Sequence, residues 1–201
     1  PFRKVLHEIN KIINKTKINF KFIDLGGGMG ISYKKKEKQI NLKEYSKIVS
    51  KFIKNKNAQI IFEPGRFIIG NTGILITKVI YIKKSSGKNF IILDAGMNDL
   101  MRPALYNAHH EIIPLKKTKK IMKGKIEFVG PVCESSDKFS NEKIFSQLKE
   151  GDYIALANVG AYGMSLSSNY NTRPTIAEVA VSGSNCKIIK KRQSLESLIN
   201  N

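Results

Sequence analysis

At 201 residues, with 41% hydrophobic and 25% charged side chains and a formal net charge of +19, the chain is long enough to bury one or two cores. That excludes a short peptide and a disordered tail. No run approaches the roughly 20 apolar residues of a membrane span, because the most apolar stretch, Ile60 to Ile82, is interrupted by Glu63, Arg66 and Lys78.

Val5, Leu6, Ile9, Ile12 and Ile13 recur at helical spacing and predict a first helix. Phe20 to Leu25 is a short apolar run that predicts a strand, and it ends in Gly26-Gly27-Gly28. Leu42, Tyr45, Ile48, Val49, Phe52 and Ile53 predict a second helix, and Gln59 to Glu63 a second strand closed by Pro64-Gly65. Strand, helix and strand in this succession form a βαβ unit, so residues 1–70 read as a parallel α/β layer. From Gly73 the pattern changes to strands. Ile74 to Tyr81 is followed by a Ser85-Ser86-Gly87-Lys88 turn and a return over Phe90 to Leu93. Further strands are predicted at 126–129, 153–156 and 177–181, which makes 71–201 a mainly β domain. Lys116 to Lys125 reads as a solvated basic loop.

Several features point to bland roles when read alone. Thirty of the 35 basic residues are Lys, spread from Lys4 to Lys191, a compositional bias over solvated faces and not a nucleic-acid surface. Cys133 and Cys186 are too few for a disulfide scaffold, no spacing suggests a metal, and a reducing cytoplasm is the default. Both thiols read as buried structural residues. His109 and His110 are adjacent and point apart, which favours a structural role. Asn98-Asp99 reads as a plain turn, and Tyr106 and Tyr162 as core or interface aromatics. The opening Pro1-Phe2-Arg3-Lys4 has neither an initiator Met nor a signal-peptide core, so the sequence reads as the interior of a longer protein.

Two strand ends carry more. Gly26-Gly27-Gly28-Met29-Gly30 follows the first predicted strand, where glycines let backbone N–H groups converge on an anion. The next strand ends in Glu63-Pro64-Gly65-Arg66, and a glycine loop beside an Arg-bearing turn matches the phosphate sites of barrel enzymes. For Arg66 the plain alternative is a surface cation, and for Glu63 a turn cap.

Six motifs then occur in order: Asp24-Leu25-Gly26-Gly27-Gly28, Glu63-Pro64-Gly65-Arg66, Asp94 to Tyr106, Gly130 to Asp137, Gly160-Ala161-Tyr162-Gly163, and Ser167 to Pro174. Together they resemble the diaminopimelate decarboxylases, over nearly the whole chain. That resemblance implies the alanine-racemase-like fold: the last βα units of a TIM-type barrel that binds pyridoxal 5'-phosphate (PLP), then a C-terminal, mainly antiparallel β domain. It also implies where the chemistry lies. Gly27, Gly28 and the turn Glu63, Pro64, Gly65, Arg66 would hold the PLP phosphate, with Glu63 facing the pyridine nitrogen. Arg66, Arg102, Tyr106 and Glu134 would bind substrate carboxylates and the distal amine. Tyr162 would touch cofactor and substrate, and Cys133 would protonate the decarboxylated carbon. Cys133 and Glu134 would reach a partner subunit's site in a homodimer.

Glu134 after Cys133 separates this pattern from similar ornithine-type enzymes, which carry Asp there, and Arg102 offers a bidentate clamp for a second amino-acid carboxylate. The expected substrate is therefore meso-diaminopimelate and the product L-lysine. Where this family has an aromatic residue, the sequence has His109. None of the thirty Lys has the setting of the family's Schiff-base lysine, so these residues alone are expected to be inactive. An ornithine, arginine or carboxynorspermidine decarboxylase, or a non-catalytic interaction protein of the same fold, stays open as an alternative.

Overall fold

In the computed structural model, which describes residues 2–34 and 37–200, helix α1 (Phe2–Thr16) opens the chain and buries Leu6. Phe2, Ile9 and Leu6 pack with Tyr45 and Val49, whereas Val5 and Ile12, predicted for the same apolar face, are 55% and 60% exposed. The buried set spaced at three and four residues fixes the face, and these two fall outside it. Pro1, on which the expectation of a longer protein partly rests, lies outside the described residues.

Strand β1 (Phe22–Asp24), helix α2 (Leu42–Ile53) and strand β2 (Gln59–Ile61) follow. The Asn41 side chain starts α2 by accepting the Glu44 N–H at 3.1 Å, a side-chain N-cap. β1 and β2 pair in parallel, Ile23 opposite Ile60. Both strands are shorter than the apolar runs that predict them, and among the described residues each has one partner. A short helix, α3 (Gly65–Ile69), ends this unit, and a second unit begins at Gly70.

In the second unit β3 (Ile74–Ser85) turns back through Ser86 and Gly87 into β4 (Lys88–Leu93). Both turn residues have positive φ, 50° and 71°, the geometry of a tight hairpin. Then come α4 (Arg102–Tyr106), β5 (Ile112–Pro114), β6 (Ile121–Val129), β7 (Lys138–Ser146) and β8 (Tyr153–Ala157). The sheet order is β5-β8-β3-β4-β6-β7, antiparallel except for the parallel β4–β6 pair. Its core includes Val79, Ile91, Leu93, Ile126, Phe128, Ile154 and Leu156, all 0% exposed. A separate antiparallel pair, β9 (Glu178–Ser182) and β10 (Asn185–Lys190), precedes α5 (Leu195–Ile199).

Two expectations need correction here. Residues 121–125 are not loop: they open β6, with Met122 opposite Phe145 and Lys123 opposite Ile144 on β7. Pairing with β7 overrides the basic composition, which only marks the exposed side of the ladder. Cys186 is exposed on β10, opposite Val181, and is not a core thiol.

Candidate functional site

In the first unit the glycine loop and the Glu63 turn meet. The Glu63 N–H donates to the Gly26 carbonyl at 2.9 Å, and the Gly26 N–H donates to the Asp24 carboxylate at 2.7 Å. Gly26 and Gly28 have φ of +64° and +72°, which favours residues without a side chain. Gly27 is constrained differently: a Cβ there would lie 2.6 Å from the Glu63 carbonyl oxygen. A Cβ at Gly26, Gly30 or Gly65 would meet nothing within 4 Å, so the loop opens on one side onto space. Glu63 is exposed, while Pro64 and Arg66 are half-buried. Gly27, Gly28 and Glu63 to Arg66 are thus brought together.

In the second unit Arg102 begins α4 and is only 6% exposed. Its Nη1 lies 3.0 Å from Nε2 of His110, whose Nδ1 lies 2.8 Å from the Ala157 carbonyl at the end of β8. Burial lowers the pKa of His110 from 6.5 to about 4, and the charges of Arg102 and His109 push the same way against the Ala157 bond. The imidazole is neutral. Tyr106, on the last residue of the same helix, is 62% exposed, so it is not a core aromatic.

Cys133 and Glu134 sit exposed on the turn between β6 and β7; the lone-residue reading of Cys133 as a buried thiol is wrong. The Glu134 carboxylate accepts from the Ser136 N–H and the Ser135 hydroxyl, which lowers its pKa and keeps it ionised. Asp137 closes the turn. One carboxylate oxygen accepts the Val132 N–H and the other the Met97 N–H, both at 2.7 Å. Its backbone carbonyl accepts the Gly130 N–H at 3.0 Å. A Cβ on Gly130 would collide with that carboxylate, and one on Gly96 would come 3.0 Å from Val132 Cγ2. The turn bearing Cys133 is therefore fastened to the loop that leads into Arg102.

A further network holds that loop from the other side. Asn98 and Asp99 form the expected turn, with the Asp99 N–H bonded to the Gly96 carbonyl at 2.9 Å, but both are buried and do more than turn the chain. Arg173 donates through Nε to the Asn98 side chain at 2.9 Å, donates through Nη2 to the Asp94 carbonyl, and lies 3.6 Å from Asp99. Burial nevertheless raises the Asp99 pKa. Tyr162 stands on a different loop, after β8, with a positive φ of 61° that is unusual for a bulky residue. Its neighbour Gly163 is pressed against the Val159 carbonyl, and Gly73 against Gly160, so this loop is backbone-packed. The sequence reading missed Asp137, Asn98, Arg173 and His110 as organisers; each stood in or beside a quoted motif, where a buried polar residue is the signal.

A family model described as "Pyridoxal-dependent decarboxylase, C-terminal sheet domain" matches residues 16–160. A diaminopimelate decarboxylase of Aquifex aeolicus is 40% identical over 202 residues, 99% of this chain and 48% of the relative. That of Zymomonas mobilis is 42% identical over 96% of this chain and 46% of its own length. The crystal structure of diaminopimelate decarboxylase from Helicobacter pylori complexed with L-lysine superposes with a TM-score of 0.87 at 42% identity, over 98% of this chain and 48% of that one. The chain spans about half the length of these relatives. With a match over residues 16–160, the chain belongs to the pyridoxal-dependent decarboxylases and carries their C-terminal sheet domain.

Proposed function

We propose that the full-length protein removes CO2 from meso-2,6-diaminopimelate to give L-lysine, in the cytoplasm, as a homodimer with shared sites. The observation that carries this reading is the fastening by Asp137 of the Cys133–Glu134 turn to the Arg102 loop. It holds the turn that bears Cys133 and Glu134 against the loop that leads into Arg102. A substrate with two amino-acid ends offers a carboxylate to Arg102 and an ammonium to Glu134. The names of the relatives, and the L-lysine in one of their crystal structures, support that choice.

The first unit, read as the last βα portion of a barrel, fits the phosphate of PLP. Its glycine loop is open on one side and abuts an Arg-bearing turn. Gly27, Gly28, Pro64, Gly65 and Arg66 would hold the phosphate, Glu63 would face the pyridine nitrogen, and Tyr162 would touch both cofactor and substrate. When bound, PLP supplies an electron sink for the pair released as the carbon–carboxylate bond breaks.

The remaining work falls to this chain's side chains. Arg66 and Tyr106 would complete the substrate contacts. Arg102 binds the carboxylate that stays, which leaves the other to depart as CO2. Cys133 hands its thiol proton to the carbon that lost CO2, and solvent reprotonates the sulfur. Exposure of Cys133 and Glu134 in the single chain supports their serving a neighbouring subunit.

The test is CO2 release by the purified full-length protein from diaminopimelate, ornithine and arginine. Diaminopimelate should be preferred, and a preference for either of the others would overturn the reading. Cys133→Ser should lower kcat by roughly 10²–10⁴, the range for a positioned acid, with KM little changed. Mixing that variant with one lacking the cofactor-bearing lysine should restore part of the activity, provided the site is shared between chains.

A further inference from the structure

We propose that His110 is a positioning residue that holds Arg102 ready for the substrate carboxylate, acting as a neutral Nδ1–H imidazole. This rests on the reading of Arg102 given above. His110 has no exposed surface, so its ring cannot meet substrate itself. The partners decide its tautomer. The Ala157 carbonyl can only accept, so Nδ1 carries the proton; the Arg102 guanidinium can only donate, so Nε2 accepts.

The anchor behind the imidazole is rigid. Ala157 closes β8, pairs with Ile74 on β3, and bonds through its own N–H to the Glu111 carbonyl at 2.9 Å. Arg102 is thereby tied through His110 to the end of β8, where that strand pairs with β3. The chemical type of the tether matters too. A carboxylate in this place would take the fork of the guanidinium and offset its charge, competing with the substrate. A neutral imidazole takes one N–H and brings no opposing charge. The charges of Arg102 and His109 both disfavour a second ring proton.

Two substitutions in the full-length holoenzyme separate positioning from packing. His110→Gln keeps an acceptor within reach of Arg102, whereas His110→Asn keeps a donor toward Ala157 and loses that acceptor. His110→Asn should raise KM for diaminopimelate and the inhibition constant of L-lysine together, by about 10- to 100-fold, the effect of one hydrogen bond to a charged group. The kcat and the PLP affinity should stay within about threefold, and His110→Gln should stay near wild type in all four. An unchanged KM in His110→Asn, or equal damage by both variants to PLP binding and KM, would overturn the proposal. Nitrogen-15 spectra of histidine-labelled protein give a readout without turnover. The resonances missing from His110→Gln should show protonated Nδ1 and unprotonated Nε2 at pH 6 to 8, and an Nε2–H signal would refute the tether. A wild type inactive on diaminopimelate would instead bring down the decarboxylase reading, and the substrate role of His110 with it.

Discussion

Arg102 is only 6% exposed, and burial makes His110 beside it give up its charge. Two consequences belong to these residues. Arg102→Lys retains the charge but replaces a planar fork with a point donor on a shorter reach, so KM for diaminopimelate should rise about tenfold or more while PLP affinity holds. Parallel loss of cofactor and substrate binding in a titration would make Arg102 a fold residue. The second consequence concerns acid. An unfolded histidine takes its proton near pH 6.5, and the folded His110 only near 4, so between those values the unfolded chain binds more protons. Stability should therefore fall as pH drops from 6.5 to 4, by up to about 3 kcal/mol from this group. Urea midpoints at pH 7 and pH 5 should show a larger acid loss in wild type than in His110→Gln; equal losses would mean that His110 charges freely in the fold.

Loops between strands set the site at the next scale, and they were the least legible part of the sequence. The β3–β4 hairpin could be read because its apolar runs flank a Ser-Gly turn, and periodicity and turn chemistry agree there. β7 escaped: Lys138 to Ser146 mixes charges with Phe139 and Phe145, and only pairing with β6 and the Phe128–Phe145 edge contact at 4.9 Å make it a strand. β10, exposed along its whole length, carries no burial pattern to read. Cys133, Glu134 and Arg102 were visible as motif residues, but the fastener between their loops was not, because hydrogen bonds across 40 positions leave no local periodicity. Asp137→Asn tests that fastener. An amide has one acceptor oxygen where the carboxylate has two, so either Met97 or Val132 would face an NH2 group with its own N–H. With Asp137 3% exposed, this should cost about 1–3 kcal/mol and lower kcat through a displaced Cys133 turn. Thermal melts and steady-state kinetics check it; a stable, fully active variant would show that the two loops hold together without Asp137.

At the scale of the whole molecule, the two units differ in how much of their own structure they close. Among the described residues the six-stranded sheet has a core cluster of thirteen buried side chains, so it has the makings of an independent fold. Among the described residues the core cluster of the first unit holds three, Leu6, Tyr45 and Val49, beside one parallel pair of three-residue strands. Phe22, Ile61, Phe62, Ile68 and Ile69 remain 41–64% exposed in it. Parallel strands need both faces covered and neighbours on both edges, because their ladder groups and apolar side chains otherwise meet water. These 201 residues, produced alone, should therefore give a folded sheet domain with a poorly ordered phosphate loop. With PLP and diaminopimelate added, they should release no CO2. Amide hydrogen exchange should protect β3, β4, β6 and β8 and leave β1 and β2 fast. Such a pattern would explain inactivity by an unfinished cofactor site, since the Gly27–Glu63 contact depends on those two strands. Measurable CO2 release from the isolated chain, or slow exchange in β1 and β2, would mean instead that the first unit completes its own sheet and needs no further strands to hold the cofactor.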